Sequence, residues 1–306
     1  IVEHNIHGLD IDQRAYQLAY FAVMMKGRGY NRRFLRGRDG KSEPKVYAIA
    51  ESNEINRNHL KFFGAHLSNM ERNLAVMQME GVFNTFVDAR EYGSILNVDA
   101  YDWEILERFV EDLDTTGQIS FESVGSEETQ KNLRKLIRVA KNLGQKYDAV
   151  VTNPPYLGSS RFSPCLDKYI KDNYSDVKSD LSMVMFKHAL NDLCKQKGYV
   201  SFITTTSWMF LSSFEKLRSY VLKEYDFISL VDFGTELFEG KVGHNSIVAW
   251  VNRKSNTGYT MTGIRLVEYC YSRRDEKEKE YFNKKNYHYT KQGDFSKIPG
   301  SPVAYW

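Results

Sequence analysis

"DAVVTNPPYLG", residues 148–158, decides how this chain is read. "YDAVV" (147–151) is a short apolar run with the character of a buried strand. Two consecutive prolines stop it, because they lack N–H donors and have a fixed φ. In open α/β sheets the loops at the carboxyl ends of strands carry the chemistry. Asn153 brings an amide with one acceptor and two donors, and Pro154 and Pro155 bring carbonyls without N–H groups. Tyr156 brings a flat aromatic ring. Acceptors converging on one point suit a substrate amino group, and a flat ring suits a planar base drawn out of its stack. An exocyclic amino group is a poor nucleophile, so alignment is what a protein can add. At ~5% per residue type, the tetrapeptide arises by chance in roughly one chain in a thousand of this length. A tight loop without chemistry is therefore the weaker reading.

Outward from this loop, period and punctuation give an alternation of strands and helices. "NIHGLDID" (5–12) alternates apolar and polar residues and ends in two acids, as a strand does. "QRAYQLAYFAVMMKGRG" (13–29) follows as a helix with Ala15, Leu18, Ala19 and Ala22 on its core face. Residues 26–45 hold eight Lys/Arg against two acids, read as a solvated insertion or, more sharply, a phosphate-contacting loop. "KVYAIAES" (45–52) reads as a strand and 57–80 as helical. "VFNTFVDAREYGSIL" (82–96) is expected to hold a short strand ending near Asp88. Residues 102–143 read as a charged helical insertion broken at "TTGQ" and "SVGSE".

After the Asn-Pro-Pro-Tyr loop, Met183, Phe186, Leu190 and Leu193 share a helical face, with Asp180 as cap and Lys195 and Lys197 closing the helix before Gly198. "YVSFITTT" (199–206), "ISLVDFG" (228–234) and "NSIVAWVN" (245–252) read as strands, the last two as an antiparallel pair. Ser212 and Glu215 have the spacing of a capping box. The whole describes an α/β sheet of three layers.

Composition sets the outer bounds. Hydrophobic residues make up 42% of the 306 and charged residues 26%, ordinary for a globular chain, and no run has the ~18 apolar residues of a membrane span. Cys165, Cys194 and Cys270 are scattered and odd in number, which points to a reducing, cytoplasmic setting rather than a disulfide scaffold. The seven histidines have no paired ligand spacing, so no metal is expected. A net charge of +3 is too small to prove a polyanionic partner. Ile1 opens the chain and "IPGSPVAYW" ends it in mid-pattern, so it is read as a fragment of a longer protein.

These segments, in this order, resemble the N6-adenine-specific DNA methyltransferases of gamma-type motif order, with a Rossmann-like S-adenosylmethionine-dependent sheet. "VVTNPPY" is similar to their catalytic motif, which implies Asn153, Pro154, Pro155 and Tyr156 as catalytic residues. "NIHGLDIDQRAYQLA" resembles the motif whose acid holds the ribose hydroxyls of S-adenosylmethionine, which implies Asp10, with Ile11 against the adenine. "FVDAREYGS" resembles the motif that reads the adenine amino group, which implies Asp88. "ELFEGKVGHNSIVAWV" resembles the segment supplying a second aromatic, which implies that Phe238 joins Tyr156 in stacking on a flipped base; a core residue at a hairpin end is the other reading of Phe238. The tail "QGDFSKIPGSPVAYW" and "FAVMMK" (21–26) resemble large phage-defence methyltransferases of the BREX-associated PglX type, related to type IIG restriction-modification enzymes.

The resemblance implies a methyltransferase domain over residues 1–255, then a linker and the start of a target-recognition region over 256–306. The implied partners are double-stranded DNA with a flipped adenine and other defence-system subunits, with no membrane. The family's glycine-rich first motif would stand before "NIHGLDID", on a strand between those ending at Asp10 and Asn153. Without it those two strands close on each other, or another chain or upstream residues fill the gap, since unpaired backbone is costly. The 306 residues alone are accordingly expected to bind the cofactor weakly. Two other functions fit: amino-group methylation of protein glutamine or RNA, and a non-catalytic DNA-binding or specificity component.

Overall fold

The computed structural model describes residues 1–36, 43–113, 123–238, 243–253 and 258–306. They form two compact units, Ile1–Gln145 and Lys146–Trp306. Much of the basic run at 26–45 (residues 37–42) and the "TTGQ" break lie outside the described residues.

The first unit begins with β1 (His7–Asp10), α1 (Gln13–Tyr30) and β2 (Lys45–Ala48). β1 and β2 are parallel, with His7 opposite Lys45 and Asp10 opposite Ala48, so α1 is the crossover between them. Asp12 caps α1 by accepting from the backbone N–H groups of Arg14 and Ala15, which holds its carboxyl below the usual carboxylate range. The face of α1 differs from the sequence expectation. Leu18, Ala19 and Ala22 are exposed, whereas Tyr16, Tyr20, Val23 and Met24 are half-buried. Apolar residues lie nearly all round this helix, so periodicity does not single out the packed side.

α2 (Asn69–Thr85) starts with a full capping box between Ser68 and Glu71. α3 (Ala89–Tyr92), α4 (Trp103–Glu111) and α5 (Ser126–Gly144) complete the unit. The expected strand before Asp88 is absent. Val82, Phe83 and Phe86, all fully buried, have helical spacing and end α2 against the helical core. α4 and α5 carry the predicted helical segment. α5 is also tied to both strands of the sheet: Asn142 bonds the His7 ring through Oδ1 and donates to the Lys45 carbonyl.

The second unit comprises β3 (Tyr147–Thr152), α6 (Pro164–Asn173), α7 (Leu181–His188), β4 (Cys194–Thr205), α8 (Glu215–Glu224), β5 (Asp226–Gly234), β6 (Asn245–Val251), β7 (Thr260–Arg265), α9 (Lys277–Tyr281), β8 (Tyr287–Lys291) and α10 (Gln292–Phe295). Its six strands form one mixed sheet in the order β3-β4-β6-β5-β7-β8. β3–β4 and β5–β7 are parallel; the other three pairings, including the expected β5–β6, are antiparallel. The carboxyl ends of β3, β4, β5 and β7 therefore share one edge of the sheet with the amino end of β6. Phe186, Phe202, Trp208, Phe227 and Trp250 fill the core, with Phe227 and Trp250 stacked at 4.1 Å.

Two local expectations are corrected here. Asp180 does cap α7, but the helical path ends in a π-turn at Leu193; Lys195 and Lys197 lie beyond it, in β4. Ser212 and Glu215 form no capping box, because Ser212–Phe214 make a 3-10 turn and α8 starts at Glu215 without a side-chain cap. β7 and β8, which lie beyond the boundary at 255 that the resemblance implies, extend the sheet, and the tail is bonded into the core. Gln292 donates to the Leu222 and Tyr225 carbonyls and accepts from Phe227 N–H. The Tyr305 hydroxyl donates to Asp232, and buried Arg218 donates to the Gly300 carbonyl.

Candidate active site

In the second unit the Asn-Pro-Pro-Tyr loop leaves β3 at the sheet edge defined above. Pro154 is buried, Asn153 and Pro155 are exposed and Tyr156 is half-buried. The Tyr156 hydroxyl donates to Asn153 Oδ1 at 3.0 Å, closing a ring across the two prolines. The loop is anchored beyond Tyr156 as well. Leu181 N–H donates to the Leu157 carbonyl and Ser159 N–H to the Ser179 carbonyl, and Gly158 bridges to Asp180. Burial pushes the Tyr156 phenol up, a bond to Asn245 opposes this, and the Asp180 charge adds to it. Burial likewise raises the Asp180 carboxyl, against two bonds from Ser182.

Sequence reasoning missed Asn245. It is 1% exposed, opens β6, and faces Thr205 of β4 and Gly234 of β5 in the sheet register. It lies 89 positions from Tyr156, and no local pattern links two residues that only strand order brings together. Phe238 ends the described part of the loop after β5 and is half-buried. No ring contact joins it to Tyr156 among the described residues.

In the first unit three loops gather at the carboxyl ends of β1 and β2. Ile49 N–H donates to the Asp10 carbonyl, which joins the first two. Asp10 Oδ1 accepts from Asp12 N–H, leaving Oδ2 without a bond among the described residues. Ile11 is 50% exposed, with Cδ1 3.7 Å from where a Cβ on Gly93 would stand. Asp88 has φ of 51°, a left-handed conformation that Asp tolerates through local hydrogen bonding. Asn53 supplies that bonding twice: its amide donates to Asp88 Oδ1 at 2.7 Å and accepts from Asp88 N–H at 2.9 Å. Glu51 in the same loop accepts from Arg90 N–H and pairs with its guanidinium. Thus the loop after β2 positions Asp88; Glu51 and Asn53 were missed because the strand was expected before Asp88 itself.

The chemistry of these loops fits part of a nucleoside-bearing cofactor. Asp10 presents a free carboxylate oxygen to hydroxyls, and Ile11 presents an exposed apolar surface to a flat base.

The model of the Eco57I restriction-modification methylase family matches residues 4–238. The adenine-specific methyltransferase PglX of Lacticaseibacillus casei (strain Zhang) is 35% identical over 317 residues, covering 100% of this chain and 25% of that protein. The adenine-specific methyltransferase BrxX of Escherichia coli O9:H4 (strain HS) is 34% identical, covering 100% of this chain and 26% of that protein. The chain spans about a quarter of the length of either relative. Among solved structures, a nuclease-deletion mutant of the Type ISP restriction-modification enzyme LlaGI with a DNA substrate mimic is 14% identical. It covers 96% of this chain and 25% of that one, at a TM-score of 0.46. The chain belongs to the Eco57I restriction-modification methylase family.

Proposed function

We propose that this chain carries the methyl-transfer machinery of an enzyme that methylates the N6 amino group of adenine in DNA, within a phage-defence or restriction-modification system. The observation that carries the reading is the stiff Asn153–Tyr156 loop at the carboxyl end of β3. S-adenosylmethionine, when bound, supplies an electrophilic methyl group on a sulfonium. In the first unit, Asp10 would hold its ribose hydroxyls, Ile11 would pack on its adenine and Asp88, kept in place by Asn53, would read the adenine amino group.

In the second unit, Asn153 Oδ1 and the Pro154 carbonyl accept from the two N–H groups of the target amine. This favours the geometry in which the nitrogen lone pair points at the methyl carbon. The bound cofactor would supply the methyl group and leave as S-adenosylhomocysteine, while Asn153 Oδ1 and the Pro154 carbonyl would hold the amine whose proton is released to solvent. Tyr156 stacks on the extruded adenine, with Phe238 as the second aromatic wall. The DNA duplex and other defence-system subunits are the partners of the longer protein.

The test is mass-spectrometric analysis of DNA exposed to the full-length protein with S-adenosylmethionine. N6-methyladenine is the expected product. Methyl incorporation only into protein or RNA would overturn the reading.

A further inference from the structure

We infer that Lys277 and Glu236 are positioning residues for Phe238, acting through the chain that leads from β5 to that ring. The inference rests on the proposed stacking of Phe238 on an extruded adenine, and adds to it two residues to which the resemblance gives no role. β5 ends at Gly234, and Phe238 follows four positions later. Between them the chain is clasped by the segment after β7. Lys277 Nζ donates to the Thr235 carbonyl at 2.6 Å, and the Cys270 thiol donates to the same carbonyl at 3.4 Å. Tyr271 N–H donates to the Glu236 carboxylate.

The clasp is built under constraint. Gly234 turns with φ of 63°, and a Cβ there would stand 3.0 Å from Val267 Cα, so glycine is what lets the two segments approach this closely. Glu236 and Tyr271 have φ of 62° and 55°, left-handed conformations that neither residue type favours. Two strained residues bonded to each other persist because their surroundings over-determine them, and such residues gather at functional sites. Lys277 is 8% exposed, and its ammonium forms no ion pair among the described residues. Burying a cation against a neutral carbonyl is a costly way to stabilise a fold. It is an effective way to fix that carbonyl in space, because a charged donor binds it more strongly than a neutral one. The contacts hold residues 234–236, two positions before Phe238, at the sheet edge that also carries the Asn153–Tyr156 loop.

A double-mutant cycle in the full-length protein tests this. Lys277→Met keeps the stem and removes the donor. It and Glu236→Ala should each slow single-turnover methylation about 10-fold or more, as for loss of a hydrogen bond to a charged group. Glu236→Gln keeps an acceptor for Tyr271 N–H and should recover most of the rate. In the Phe238→Ala background Lys277→Met should cost nothing further, because the clasp then has no ring to place. A wild-type rate in Lys277→Met, or losses that multiply in the double variant, would overturn the inference and make Lys277 a structural residue of α9.

A readout independent of activity is amide hydrogen exchange. In Lys277→Met, residues 233–238 should exchange faster than in the wild type while β3 and β4 keep their protection. Unchanged exchange at 233–238 would overturn the clasp, and a loss spread over the whole sheet would make Lys277 a determinant of the fold alone. A wild-type methylation rate in Phe238→Ala would instead refute the proposed stacking, and with it this role of the clasp, whatever the exchange at 233–238.

Discussion

The two units hold their candidate side chains by different means. In the second, the Asn153–Tyr156 loop is stiffened covalently by two prolines and rooted in a six-stranded sheet over a stacked aromatic core. In the first, Asp10, Ile11 and Asp88 sit on loops beside a pair of four-residue strands, joined by exposed polar bonds. Exposed polar and ionic contacts contribute little stability individually. Burial of rings such as Trp250 and Phe227 contributes several-fold more. The contrast matches the tasks proposed for them: alignment of an amine calls for a stiff loop, whereas exchange of a ligand at every turnover calls for loops of lower stability.

The largest expected effect is on the core. Trp250→Ala should cost about 3–5 kcal/mol, read as faster amide hydrogen exchange across β4 and β6 in the full-length protein. Trp250→Phe should cost far less, since it keeps the stack and removes an indole N–H that finds no partner among the described residues. Equal costs would mean that the stack is not what holds this sheet.

Next comes the Tyr156 ring. Tyr156→Ala should slow methylation by roughly 10–100-fold, the range of one stacked base at ~1–3 kcal/mol. Tyr156→Phe should remain within the smaller loss expected for its hydroxyl. If the two behave alike, stacking is not the function of this ring. A smaller effect is expected in the first unit. Asn53→Ala frees Asp88 from both of its bonds and should raise the KM for S-adenosylmethionine about 3–10-fold with little change in kcat. A fall in kcat alone would place Asp88 outside cofactor binding. The smallest is at Leu18, 69% exposed on α1. Leu18→Ala should change stability by under about 0.5 kcal/mol, and a core-sized loss would mean that this face is covered in the full-length protein.

The same contrast explains how far the sequence could be read. The loop at 153–156 is legible because prolines act locally: they stop a strand wherever it lies. The Asp180 cap is legible for the same reason, since it is set by residues within a few positions; the β5–β6 pair is legible because two strand patterns follow each other in the chain across one short connection. The segment at 82–96 is not, because "VFNTF" has too few residues to separate a period of two from one of 3.6, and the helical core decides the outcome. The packed face of α1 is hidden by its even spread of apolar residues. At Ser212 the capping pattern loses to a 3-10 turn formed by the same residues. Gln292 and Tyr305 act across 65 or more positions, through bonds that exist only once the sheet is ordered. The division of candidate residues between a cofactor part and a base part follows motif order. The prop beneath Asp88, Asn53, follows from three-dimensional contact alone.

The central claim is that Asn153 aligns the target amine. Its most direct test is single-turnover methylation by the full-length protein carrying Asn153→Ala, with DNA binding measured in parallel. The account predicts a chemical step slower by ~10²-fold or more, as for loss of one preorganised hydrogen-bonding group, and an unchanged Kd for DNA. A wild-type rate in that variant would contradict it.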